Sequence, residues 1–446
     1  MTIVTFLKGS KMVSGKEFSE LFDDLLFPKI FRTFRMSIQP TKLIITFLAL
    51  AVICLAGWIM DFSKTVVATQ GTQDKLTELD IYMTDSAQLK PYIEEFRDKG
   101  QSVGVFSTLW HFAAVKFKGA VDSVFAFDVP GVVENIRDFF KAVGWALRYH
   151  FVYCIIFFVI ELAVISISGG AICRITALQF ARGEKPGLTE ALRFSTKKFT
   201  SFFTTPLSPI GIIIFVGLFI FLLGLVGNVP RAGELIIGIC MLLALIAGTL
   251  IAVILIGAVA GFNLMFPAVA YDGSDCFDAI SRSFSYVYAK PWRMGFYTAI
   301  AVVYGAICYM FVRFFAFLLL WTTYWFLQVG VLGDNSKLTA IWQKPSFGNL
   351  RGLLVLPGGT ESVAAFLVYL CLLAVTGLIV SFIINFYFSA NTIIYSLMRN
   401  RVDNTALEEV YTHSEDVETE STTTEFKSEE AQPDSETQPD SSSSTE

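Results

Sequence analysis

Six apolar runs dominate this 446-residue chain, each close to the length that carries a helix across a membrane. They are Leu43–Met60, Phe151–Ile172, Ile210–Val226, Leu235–Val259, Phe296–Trp325 and Val363–Tyr387. About 20 predominantly apolar residues cross the hydrocarbon core, where every backbone N–H and C=O must find its partner within the helix. The fourth run stays apolar to Ala270, the fifth is over-long, and the sixth is expected to continue as helix to Met398. Composition agrees, with 54% hydrophobic and 16% charged residues and a mean hydropathy of +0.58. A water-soluble chain this apolar would aggregate through exposed patches. The expected fold class is an all-α polytopic transmembrane helical bundle of six spans, with interfacial amphipathic helices and a disordered acidic tail.

Charge sets the expected orientation. The net charge of −5 divides into a tail of −13 from Val402 onward and a body of +8. Lys and Arg collect before the first span (Lys8, Lys11, Lys16, Lys29, Arg32, Arg35, Lys42), between spans two and three (Arg174, Arg182, Lys185, Arg193, Lys197, Lys198), and after spans four and six. With six spans these segments fall on one side, and the positive-inside rule makes that side cytoplasmic. The reading is thus a cytoplasmic segment 1–42, a first span 43–60, an extracytoplasmic loop 61–148, paired units over 149–326, a second outer loop 327–362, a last helix 363–398 and a cytoplasmic tail 399–446. The expected location is a bacterial cytoplasmic (inner) membrane, with both termini inside. Val66-Val67-Ala68 resembles a signal-cleavage site, but 42 residues precede the first span, which favours an uncleaved anchor.

The first outer loop is patterned. Residues 105–127 carry Phe106, Leu109, Trp110, Phe112 and Phe117 among lysines, and Asp128 with Pro130 supplies helix-start chemistry before a second amphipathic segment. Both read as helices lying in the membrane interface, either as an elbow packed on its own spans or as a platform for another protein. Residues 72–100 are more polar and read as a small helical cap.

Two inner loops resemble each other. At an offset of 88, Glu190, Ala191, Leu192 and Ser195 align with Asp278, Ala279, Ile280 and Ser283. Each loop lies between two spans, which suggests a duplicated unit of span, interfacial helix and span. In the first copy Thr189 is the expected cap. In the second, Asp272, Asp275 and Asp278 supply N-cap oxygens and first-turn negative charge. Read as metal ligands, the three aspartates lack the closing Glu of a calcium loop, so capping is the favoured reading.

The pattern Pro267-Ala268-Val269-Ala270-Tyr271-Asp272-Gly273 followed by Asp278-Ala279-Ile280-Ser281-Arg282-Ser283-Phe284 resembles uncharacterised polytopic bacterial membrane proteins, planctomycete ones among them. It is more loosely similar to the membrane domain of glycerophosphodiester phosphodiesterases, whose catalytic domain has no counterpart here. The resemblance, confined mainly to residues 170–310, implies a membrane module and carries over no active site.

Two ionisable residues sit inside spans: Glu161 in the second and Arg313 in the fifth. A charge at such depth costs about 3 kcal/mol or more and usually finds a partner or a cavity. An ion pair between them is the expectation, as a static clamp or as part of a proton or ion path. The third possibility is no contact, with Arg313 snorkelling outward. No nucleotide-binding, metalloprotease or serine-hydrolase motif is present, no metal or other cofactor is expected, and nothing suggests nucleic-acid binding. The expectation is therefore a non-enzymatic structural or accessory component of the membrane or of a membrane complex, with a small-solute or ion transporter as the alternative. Its partners are the lipid bilayer, and other membrane subunits or a soluble protein reached through the acidic tail. The seven cysteines show no disulfide framework and read as small apolar side chains.

Overall fold

A computed structural model describes residues 26–70, 75–97, 101–230, 232–331, 336–350 and 360–411. Ten helices carry the architecture: α1 (Pro40–Met60), α2 (Val105–Phe125), α3 (Val129–Tyr149), α4 (Phe151–Ala181), α5 (Leu188–Lys197), α6 (Ser208–Val226), α7 (Gly233–Asp272), α8 (Cys276–Ala289), α9 (Pro291–Gly330) and α10 (Thr360–Val402). Six of them (α1, α4, α6, α7, α9 and α10) are long and apolar enough to cross a membrane. They contain the six sequence runs. The chain is an all-α polytopic membrane protein.

Several spans outrun the bilayer. α7 and α9 are 40 residues long and α10 is 43. At 1.5 Å per residue a 40-residue helix measures about 60 Å, twice the hydrocarbon thickness. The surplus lies at the end that holds the N-terminus of α1 and the C-termini of α4, α7 and α10, and residues 171–178, 264–271 and 391–399 are buried there. Lys42, Arg174, Arg182, Lys198, Lys290 and Arg399 gather at the same end, hereafter the basic end. The bilayer-crossing part of α7 is open instead: Ile239, Leu242 and Leu243 are exposed, as lipid-facing residues must be.

The two units of 149–326 follow one plan. α4, α5 and α6 run span, short helix, span, with a further turn of helix at Phe199–Thr204; α7, α8 and α9 repeat the order. The aligned small residues Ala191, Ser195, Ala279 and Ser283 are all buried. They let α5 and α8 lie close against the spans that precede them. Ser195 Oγ donates to Ile167 O on α4 at 2.7 Å.

The opposite end differs from the sequence reading in two ways. First, residues 66–103 are not purely helical. Strands β1 (Val66–Gln70), β2 (Lys75–Thr77) and β3 (Gln101–Val103) form an antiparallel sheet in the order β2-β1-β3, joined by helices Glu78–Thr84 and Leu89–Phe96. Val66, Leu79 and Leu89 pack with Val105 and Trp145, seating this cap on the start of α2 and the end of α3. Second, α2 and α3 do not lie flat in the interface. The Asp61 carboxylate, at the end of α1, accepts the N–H groups of Phe106 and Ser107 at 2.9 and 2.8 Å and so caps α2 at that level. Each helix is 21 residues, about 31 Å. Phe117, twelve residues on, meets the Tyr309 ring of α9 at 5.4 Å. Near the turn, Val124 and Val132 line a cavity with Asn263 and Ile394, toward the basic end. The hairpin therefore stands alongside the spans. Its turn places Phe127 at φ 55°, and Asp128 caps α3 by accepting Gly131 N–H at 3.1 Å, as the Asp128 and Pro130 pattern predicts.

Candidate functional site

The hairpin closes one wall of a cavity of about 360 Å³. Phe117, Val121 and Val124 of α2 and Val132 and Ile136 of α3 face Ala301, Gly305 and Ala306 of α9 and Phe382, Phe386 and Ala390 of α10. The amphipathic period brings this about: those α2 and α3 residues share the apolar face, while Lys116 and Asp138 meet between the two helices at 2.7 Å. The polar groups in the wall are Asn263, Thr298, Tyr309, Tyr387 and Asn391. All are already engaged. Tyr387 Oη donates to Asn263 Oδ1 at 2.6 Å, Asn391 Nδ2 donates to Tyr387 O at 2.9 Å, and Thr298 Oγ1 donates to Met294 O at 2.8 Å. Tyr309 Oη accepts from Arg313 Nη1 at 3.0 Å. The space is apolar, with its hydrogen-bonding capacity largely satisfied from within.

The expected Glu161–Arg313 pair is not formed. α4 and α9 each pack against α10 and do not pack extensively against each other, so the two side chains do not meet. Glu161 is half-buried and makes no ion pair or hydrogen bond among the described residues. Besides Tyr309, Arg313 donates to the carbonyls of Phe347 and Gly348 at 2.9 and 3.3 Å, and its guanidinium lies 5.1 Å from the Phe347 ring centroid. It thus satisfies irregular backbone from the loop that follows α9.

The caps also need correction. α5 is capped at Gly187; Thr189 is its exposed second residue and makes no cap. Asp275 does occupy the N-cap of α8, in extended conformation, without a side-chain cap bond. Asp278 lies in the first turn of α8 and accepts Arg282 Nε at 3.0 Å. Asp272 caps nothing. α7 runs on to this residue and stops at Gly273 in the left-handed region, φ 64°. The Asp272 carboxylate accepts a short hydrogen bond from Tyr395 and lies 3.2 Å from Arg399 Nε and 3.4 Å from Arg282 Nη1. Nearby, Tyr286 Oη donates to Asp403 Oδ2 at 2.5 Å, and burial, reinforced by that carboxylate, raises the Tyr286 hydroxyl above its ordinary pKa. Among the described residues no three His, Cys, Asp or Glu side chains converge as a metal site.

Two features of the basic end carry no sequence signature. One is a polar thread through the bundle. Lys42, fully buried, donates to Thr176 Oγ1 at 2.7 Å, Thr176 Oγ1 lies 3.2 Å from Ser389 Oγ, and Thr46 Oγ1 donates to Asn385 Oδ1 at 2.5 Å. These contacts tie α1, α4 and α10 together. The other is a strap. Residues 403–411, expected to belong to a disordered tail, lie across the basic end. Arg399, Arg182 and Arg174 each donate to one of three successive carbonyls, those of Glu409, Val410 and Tyr411, at 2.6, 3.1 and 2.7 Å. Val410 is buried, and Tyr411 N–H donates to Tyr271 O at 3.1 Å. The expected disorder of residues 412–446 lies outside the described residues.

No family model, curated protein or solved structure matches this chain.

Proposed function

We propose that the chain is a non-catalytic accessory protein of a bacterial cytoplasmic membrane that binds a lipid, with one acyl chain in the cavity beneath the α2–α3 hairpin. The observation that carries this is the state of the cavity wall. Its residues are mostly apolar, and all five polar side chains named above already have partners within the protein. A hydrated solute entering it would lose water contacts and gain little in return. An acyl chain loses nothing, and a concave apolar space of a few hundred Å³ suits one. The basic end, with Lys and Arg at the head of α1 and the feet of α4 and α10, supports placing both termini in the cytoplasm. An ion or solute path through Glu161 and Arg313 is the weaker reading, because the two side chains do not meet.

The test is lipid analysis of the purified protein. Wild-type protein retains tightly bound lipid through detergent washing. Ala306→Trp and Ala120→Phe, which fill the cavity from α9 and α2, lose it while unfolding at a similar temperature. Equal lipid retention by both well-folded variants would sink the reading.

A further inference from the structure

The other side of the hairpin has no role in the cavity. On α3, Glu134, Arg137, Lys141 and Arg148 recur at three-, four- and seven-residue steps and form one stripe, and all four are exposed. The Glu134 and Arg137 side chains are 66% and 60% exposed, and that of Lys141 is 49% exposed. On α2, Lys118 and Asp122 are exposed on the same side of the two-helix layer, away from the cavity. Beside the α3 stripe runs a second one, Val133, Phe140 and Leu147, spaced by sevens and exposed to 58%, 66% and 44%. A charged stripe and an apolar stripe thus lie side by side on a hairpin that stands alongside the spans from one end of the bilayer toward the other.

Hydrocarbon does not coat such a surface. Ionised side chains at bilayer depth draw in water and headgroups and thin the bilayer locally. That is the condition under which a phospholipid headgroup crosses, since its barrier is the loss of hydration. The order of charge fits a zwitterion: Asp122 and Glu134 lie near the hairpin turn, and Lys118, Arg137, Lys141 and Arg148 follow toward the cap. Phosphate meets the basic groups and an amine the acidic ones, while the tails follow Val133, Phe140 and Leu147.

We propose that the outward face of the α2–α3 hairpin is a track along which phospholipid headgroups pass between leaflets, so that the protein equilibrates lipids passively. The activity is independent of whether the cavity behind the hairpin holds an acyl chain.

The experiment uses the full chain in phosphatidylcholine vesicles with a trace of headgroup-labelled fluorescent phospholipid, quenched from outside by dithionite. Protein-free vesicles lose about half of their signal, set by the outer leaflet; vesicles with the protein are expected to lose nearly all of it, with a trapped soluble dye untouched. Arg137→Leu combined with Lys141→Leu is expected to slow the loss at least tenfold. Arg137→Lys combined with Lys141→Arg, which keeps the charge, is expected to behave as wild type. The double leucine variant is expected to retain bound lipid through detergent washing as wild type does, because neither residue lines the cavity, which separates this activity from the cavity reading. Quenching that stops at half, or an unchanged rate in the double leucine variant, overturns the proposal. So does subunit counting that finds two copies cross-linked through a cysteine placed at Gly144, an open position on the charged stripe, because the face would then be covered by a second chain.

Discussion

Arg399 Nε lies 3.2 Å from Asp272 Oδ1, with both side chains almost wholly withdrawn from solvent, and the contact joins the last turns of α7 and α10. Asp272 also receives the Tyr395 hydroxyl, and Arg399 reaches on to the Glu409 carbonyl. One ion pair therefore couples two spans and the strap. Removing one member takes the nearest opposite charge from a buried group, leaving Asp272 only Arg282 or Arg399 only the exposed Glu409 carboxylate, a loss of up to about 3–5 kcal/mol. Asp272→Ala and Arg399→Met are each expected to lower the unfolding temperature in detergent sharply. The double variant should lose less than the sum of the two, because neither charge is then stranded.

The strap should contribute to stability, and the chain beyond it should not. Truncation after Tyr411 is expected to leave the unfolding temperature unchanged. Truncation after Asp403 removes the carbonyls that three arginines hold, where a hydrogen bond to a charged group is worth roughly 1.5–3 kcal/mol. Equal unfolding temperatures for the two truncations would show that the strap adds nothing.

Gly273 tests the same region through the backbone. Its φ of 64° costs an L-residue about 1 kcal/mol. A Cβ there would also stand 2.5 Å from Cδ1 of Tyr411. Gly273→Ala is expected to cost more than the backbone alone. Adding Tyr411→Ala should recover the excess and leave the backbone part, in a double-mutant cycle on unfolding free energy.

Glu161 and Arg313 act separately. Glu161→Gln and Arg313→Gln are expected to have additive effects on stability, since residues without shared partners usually add within about 0.5 kcal/mol. Arg313→Gln alone should speed hydrogen exchange around Phe347 and Gly348, whose carbonyls lose their donor. A coupling energy above that margin would contradict the separation.

The spans were legible because a long apolar run is a local property of the chain, and the start of α3 was legible because a cap and a proline act within one turn. The depth of the hairpin was not. An amphipathic period shows that Phe117, Val121 and Val132 share a face, but the same face suits a membrane surface and a wall of packed spans equally. Asp272 was misread because Asp272-Gly273-Ser274-Asp275 carries the marks of both a helix end and a helix start, and α7 uses the first two residues as its stop. Arg313 and the three strap-holding arginines chose backbone carbonyls, which every residue type supplies and no motif announces. The Glu161–Arg313 expectation failed for a related reason: opposite charges in two spans suggest a pair, yet only packing decides which helices are neighbours.

α10 packs against α1, α4, α7 and α9, and it is the last helix among the described residues. α1, α4, α7 and α9 are thus made before the helix that packs against all four of them. Until α10 is made, Thr46 lacks Asn385 and Thr176 lacks Ser389, although Thr176 already meets Lys42 of α1. A chain that stops before residue 360 keeps the contacts of α4 with α1 and α7 but lacks α10, the helix that ties α9 to all three, so the loss is felt inside the membrane-embedded part.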